Sequence, residues 1–184
     1  MRWILIILTC AVSNCLAQSI ENLSLTNVLN DKVIALDDYK NEAGIVVIFT
    51  STKCPYDNYY LSRFKELAET NPKIPVLLIN SNLEESVDEM KSFASRNRIS
   101  TPYLIDKVHN ALNALRPRKS PECFLLQFKG GKFVVVYRGA IDDNPQTASA
   151  VNHSYLKEAI KKLVENQKIE TPDVRPVGCS LRVN

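Results

Sequence analysis

The chain has 184 residues, 45% of them hydrophobic and 23% charged, with 5 Gly and 9 Pro. That composition excludes a disordered, collagen-like or coiled-coil protein. Lys and Arg number 23 against 20 Asp and Glu, a formal net charge of +3. The basic residues are scattered rather than gathered into a stripe, which argues against nucleic acid as a partner.

Met1-Arg2 is followed by an almost unbroken apolar run, Ile4 to Val12, and then by Cys15-Leu16-Ala17 ahead of Gln18. This pattern is that of a secretory signal peptide over residues 1–17. The run is only about ten residues, short of the roughly 20 that cross a bilayer, so no membrane span is expected. Cleavage after Ala17 is the expectation. Lipid attachment at Cys15 is the alternative, with Asn14 a poor residue before such a site. Cleavage leaves a chain long enough for one domain with a substantial core. Cys10 and Cys15 leave with the leader, so Cys54, Cys123 and Cys179 face an oxidising compartment as an odd set of three. One structural disulfide plus a buried thiol is one reading; a pair that cycles between thiol and disulfide is the other.

Leu23 to Leu36 holds two β-prone runs around Asn30-Asp31-Lys32, a hairpin pattern, and Ile45 to Thr50 is an apolar run suited to a buried central strand. From Pro55 the period becomes helical through Tyr56, Tyr60, Phe64 and Leu67. Cys54 therefore stands where a buried strand turns into a helix, with Pro at the first position. Ile74 to Asn80 predicts a second buried strand. Ser86 and Glu89 form a capping-box pattern before a helix carrying Val87, Met90 and Phe93, and Tyr103 to Ile105 predicts a short strand. Phe124 to Phe128 and Phe133 to Tyr137 flank Lys129-Gly130-Gly131-Lys132, predicting an antiparallel hairpin. Tyr155 to Val164 predicts an amphipathic helix, and the segment from Asn166, with Pro172 and Pro176, an extended tail. Parallel units followed by a hairpin and a closing helix predict a three-layer α/β sandwich with a mixed sheet.

Four motifs occur in order: the strand Ile45 to Thr50 running into Cys54-Pro55-Tyr56, the step Ser120-Pro121-Glu122 before a strand, Tyr137 to Asp143, and Arg175 to Ser180. On these the chain resembles thioredoxin-like proteins of the redoxin group, and more narrowly an exported bacterial branch related to the alkyl hydroperoxide reductase and thiol-specific antioxidant (peroxiredoxin-like) family. The resemblance covers nearly the whole mature chain. It implies a thioredoxin-like α/β/α sandwich over 18–165, a tail over 166–184, a periplasmic or secreted location, and Pro121 as a cis-proline facing the active cysteine.

The chain departs from that pattern where relatives carry Cys-x-x-Cys-Pro-Tyr, because Ser51 replaces the first cysteine. Local dithiol chemistry is thereby lost, and Cys54 acts alone or with a distant partner. The spacing of Ser51 and Cys54 matches the peroxidatic pattern, in which a hydroxyl three residues before the thiol bonds the peroxide. The proline expected four residues before Ser51 is Val47, and Arg118, Lys119 and Arg138 are the candidates for the cation beside the thiolate.

A thiol at a helix N-terminus favours its thiolate; Lys53 acts in the same direction and Asp57 opposes it. Cys179 is the favoured partner for Cys54, since the roughly 13 residues from Asn166 could span about 40 Å and a resolving thiol on a tail can close a disulfide. A Cys123–Cys179 staple and the absence of any intramolecular bond stay open, with Cys123 read as a buried, unreactive thiol.

His109 and His153 lack zinc-site spacing, so no metal and no other cofactor is expected. Tyr56, Tyr59 and Tyr60 read as core and cleft lining, Asp37-Asp38 as a turn and Asp142-Asp143 as a solvated loop. Two functions follow. One is an exported thiol oxidoreductase, with Cys54, Ser51 and Cys179 catalytic and Lys53, Pro55, Lys119, Ser120 and Pro121 contacting a peroxide or protein disulfide, regenerated by a thiol reductant. The other is a non-catalytic thioredoxin-fold binding module.

Overall fold

The computed structural model describes residues 18–182. The expectations for residues 1–17, including cleavage after Ala17 and modification of Cys15, lie outside the described residues. The chain folds into nine strands and four α-helices: β1 (Ser19–Ile20), β2 (Ser24–Asn27), β3 (Val33–Ala35), β4 (Ile45–Phe49), α1 (Pro55–Thr70), β5 (Val76–Asn80), α2 (Val87–Asn97), β6 (Tyr103–Ile105), α3 (Asn110–Leu115), β7 (Glu122–Lys129), β8 (Lys132–Gly139), α4 (Tyr155–Val164) and β9 (Asp173–Val174). The nine strands form one mixed sheet of order β1-β8-β7-β4-β5-β6-β2-β3, with β9 beside β8.

The central strands explain the layers. Every residue of β4 is buried, and alternation sends its side chains to opposite faces. Val46 and Ile48 join Tyr60, Phe64, Leu67, Met90, Leu156 and Ile160 on the side of α1, α2 and α4. Ile45, Val47 and Phe49 join Leu25, Leu36, Ala111 and Leu115 on the side of α3. β5 and β7 divide in the same way. Each such side chain contributes about 1.5–3 kcal/mol when fully buried, and both faces of β4 share in it. This is a mixed-sheet α/β sandwich, as the order of elements predicts, and it is thioredoxin-like, as the resemblance implies.

β4 runs parallel to β5 and antiparallel to β7, pairing Ile48 with Cys123 and Phe49 with Glu122. That register brings the C-terminal end of β4, from which Cys54 follows, beside the start of β7, from which Ser120-Pro121 precedes. Ser86 accepts from Glu89 N–H, and the Glu89 side chain accepts from Ser86 N–H, so the capping box closes α2 as expected.

Three elements are additions to the expected set. β1 and β9 both pair with β8, β1 at Phe133 and Val134 and β9 at Arg138 and Gly139; the third is α3. The tail is therefore not wholly free of the sheet. Arg138 N–H donates to Pro172 O at 2.9 Å and Ala140 N–H to Val174 O at 3.0 Å. Gly139 makes this approach possible: its φ is +126°, and a Cβ there would fall 1.7 Å from Val174 O.

Candidate active site

Cys54 is the N-cap of α1, with extended backbone angles and Pro55 beginning the helix. Pro needs no N–H partner at that first position. The thiol group thus sits against the positive end of a 16-residue helix, the setting that favours thiolate. Its Sγ is joined to Cys179 Sγ in a disulfide across 125 positions, with the two Cα atoms 5.9 Å apart. Cys54 is 1% exposed, whereas Cys179 is part-exposed. Of the two half-cystines, Cys179 is the more open to solvent.

Ser120-Pro121 is a cis peptide, and both residues are buried. Ser120 pairs with Cys179 as an antiparallel bridge, its N–H donating to Cys179 O at 2.9 Å and its carbonyl accepting from Cys179 N–H at 2.8 Å. The same carbonyl oxygen lies 3.2 Å from Cys54 Sγ. The tail continues to a second anchor, where Leu83 N–H donates to Arg182 O at 3.1 Å and Arg182 N–H to Asn82 Oδ1 at 2.7 Å. Between the anchors, Lys119 Nζ donates to Ser180 Oγ at 3.3 Å.

Ser51, expected to orient the substrate, faces the buried Glu85. Its hydroxyl donates to Glu85 Oε1 at 2.5 Å and accepts from Lys53 N–H at 3.1 Å. In this disulfide-bonded form the hydroxyl proton is engaged by Glu85. Glu85, 1% exposed, also accepts from Thr52 N–H and Asn80 Nδ2, each at 2.7 Å. One carboxylate therefore fixes the loop that leads into Cys54. Lys53 points its ammonium at Glu84 O, 2.9 Å, and Glu89, 3.3 Å, and Pro55 is exposed.

Asp57, three residues into α1, is 1% exposed. Burial pushes its carboxyl well above the ordinary range, opposed by the hydrogen bond from Ser120 Oγ at 2.7 Å. Its Oδ1 has no hydrogen-bond partner, so the ionised form is short of donors.

The arginines considered for the thiolate are engaged elsewhere. Arg118 Nη2 and Arg138 Nη2 lie 2.8 and 3.1 Å from Glu122 Oε1, and Arg118 also reaches Asp173 at 2.8 Å. Glu122 is fully buried, so these two cations offset its charge. Asp142, expected in a solvated loop, is instead 6% exposed. It binds Arg63 at 2.6 Å and Tyr60 Oη at 2.8 Å. Arg63 stacks 3.7 Å from the Tyr60 ring and also donates to Asn144 O and Pro145 O. Of the three tyrosines, Tyr60 is core, Tyr56 part-buried and Tyr59 exposed. Cys123 is fully buried and unpaired; burial raises its thiol well above the ordinary value, with the Glu122 charge adding to it. Among the described residues no three His, Cys, Asp or Glu stand together as a metal site.

The profile of the AhpC/TSA family matches residues 16–147. The chain belongs to the AhpC/TSA family. The matched stretch ends before α4, so β9 and Cys179 of this AhpC/TSA member fall beyond it, a narrower span than the nearly complete resemblance expected. Solved structures resemble more of the chain. An uncharacterized conserved protein from Geobacillus kaustophilus has a TM-score of 0.80 at 26% identity, covering 90% of each chain. A hypothetical protein from Sinorhizobium meliloti 1021 has a TM-score of 0.80 at 21% identity, over 91% of this chain and 94% of that one. An exposed lipoprotein thioredoxin from Streptococcus pneumoniae has a TM-score of 0.61 at 18% identity, over 77% and 99%. No curated protein sequence gives a significant match.

Sequence reasoning missed Glu85, Asn82 and Arg182. The first reads as one of an acidic pair ahead of the Ser86 cap, and the other two as loop and tail; no local signal marks any of them.

Proposed function

We propose that this protein is an exported thiol-disulfide oxidoreductase whose redox-active pair is Cys54 and Cys179, exchanging with the cysteines of a partner protein and returned by a thiol reductant. The observation that carries this reading is the disulfide itself: the Cys54 sulfur at a helix N-terminus, bonded to a part-exposed cysteine that lies strand-like against Ser120-Pro121. An external dithiol opens the bond at Cys179 Sγ, Cys54 leaving as a thiolate next to the α1 dipole, and the reductant's second thiolate closes its own disulfide and frees Cys179 as a thiolate. The Cys54 thiolate then attacks a partner disulfide, forming a Cys54–partner mixed disulfide and releasing one partner thiolate. Cys179 attacks Cys54 Sγ, re-forming Cys54–Cys179 and releasing the second partner thiolate. The partner disulfide is reduced by two electrons, which the external dithiol supplies.

Exchange with protein cysteines is favoured over peroxide reduction by two features. Ser51 gives its proton to Glu85, and Arg118 and Arg138 are held on Glu122. Resemblance to an exposed lipoprotein thioredoxin supports both the chemistry and the exported location.

The test is dithiol-driven reduction of insulin, with hydrogen peroxide consumption measured alongside. Cys54→Ser is expected to abolish insulin reduction. Peroxide consumption dependent on Cys54, without insulin reduction, would replace exchange by a peroxidase. Activities and partner trapping unaltered by Cys54→Ser would leave the non-catalytic binding module.

A further inference from the structure

The tail crosses the active site as a peptide ligand would, and its contacts are selective. Residues 179 and 182 are each held through their backbone at two points, on Ser120 and on Asn82-Leu83. Such bonds accept any extended sequence, so selectivity must come from side chains. Two positions supply it. At Gly178 a Cβ would stand 2.2 Å from Ser120 O and 2.7 Å from Ser120 C. Gly178 is not among the residues with positive φ, so it is needed for space rather than for conformation. At Arg182 the guanidinium Nη1 reaches Glu84 Oε2 at 2.7 Å, in a partly exposed pair on the far side of the disulfide.

We propose that the groove running from Ser120 to Asn82-Leu83 is a peptide-recognition site for a partner segment bearing glycine immediately before its cysteine and a cation three residues after it. In the oxidised chain Gly178 to Arg182 fills this groove as an internal copy of that ligand. Reduction of Cys54–Cys179 leaves the tail beyond Val174 held by non-covalent contacts, the buried Pro176 among them, and those of Gly178 to Arg182 are ones an external segment of the same pattern can replace. The inference rests on the exchange reading above and adds the substrate class to it.

The test uses the protein carrying Cys179→Ser and a peptide, Val-Gly-Cys-Ser-Leu-Arg, whose cysteine is activated as a disulfide with 5-thio-2-nitrobenzoate. The Cys54 thiolate attacks the peptide sulfur, forming the Cys54–peptide disulfide and releasing the coloured thiolate, whose absorbance is followed; the buried Cys123 does not compete. Replacing the peptide glycine by alanine should slow capture at least about tenfold, the loss that follows when the two Ser120 bonds no longer form. Replacing its arginine by glutamate should slow capture about two- to fivefold, as suits a partly exposed pair, and Glu84→Lys should reverse that preference. Equal rates for all three peptides, with Cys54 still reacting with the symmetrical aromatic disulfide, would overturn the groove inference alone. A Cys54 that reacts with no disulfide would overturn the exchange reading and this inference with it.

Discussion

Glu85→Ala is expected to be among the most damaging single changes around the site, although Glu85 touches neither sulfur. The carboxylate accepts from Ser51 Oγ, Thr52 N–H and Asn80 Nδ2, and its residue is 1% exposed. Truncation leaves two buried donors and the part-buried Thr52 N–H short of an acceptor, each costing about 1–3 kcal/mol unless water enters. Partial entry of water into the vacated volume brings the expected total to about 3–5 kcal/mol. At a urea m-value near 2 kcal/mol/M, the unfolding midpoint should fall by about 1.5–2.5 M. Glu85→Gln keeps the shape but turns one acceptor into a donor facing donors, so a loss of about 1–2 kcal/mol is expected. The assay is urea unfolding of the oxidised proteins followed by circular dichroism. An alanine variant within 1 kcal/mol of the parent, or a glutamine variant worse than alanine, would refute the assignment of Glu85 as the acceptor that organises residues 51–53.

Three other expectations follow from particular contacts. Gly139→Ala places a Cβ against Val174 O at a φ of +126° and should cost about 2–3 kcal/mol through loss of the two β8–tail bonds and backbone strain; thermolysin should cut faster before Val174, which limited proteolysis would show. Asp57 binds its proton more tightly in the folded chain than in the unfolded one. Its contribution to stability is thus full below the ordinary aspartate pKa of about 4 and is lost as pH rises toward the raised folded value. Asp57→Asn should therefore flatten the decline in stability above about pH 4, measured by thermal melts across pH. Asp142→Ala strands the Arg63 guanidinium, whose side chain is 8% exposed, and should cost about 3–5 kcal/mol by chemical denaturation.

The framework was legible because it is carried by local pattern. The five-residue apolar run of β4, the proline opening α1 behind Cys54, the Ser86–Glu89 cap and the Gly130-Gly131 turn each state their structure within a few residues. β1 and β9, at two residues each, are too short for any period to show, and exist because β8 offers a free edge at both ends. Around the site, long-range pairing was the obstacle. Asp142 reads as solvated because its partner Arg63 lies 79 positions away, and nothing in the sequence marks Glu85 because Ser51 lies 34 positions away. Cys54 was identifiable from the strand-to-helix junction alone. Its pairing with Cys179 stayed one of several options because reach permits many partners, and only the docking of the tail on Ser120 selects one.

The central claim is that Cys54–Cys179 is a working disulfide rather than a staple. The direct measurement is to equilibrate the native oxidised protein with graded dithiol, quench in acid, alkylate, and map each cysteine by mass spectrometry. The account predicts that Cys54 and Cys179 open together in the folded protein, at dithiol levels that leave Cys123 shielded until denaturant is added. A disulfide that stays closed in excess dithiol and opens only on unfolding would contradict it.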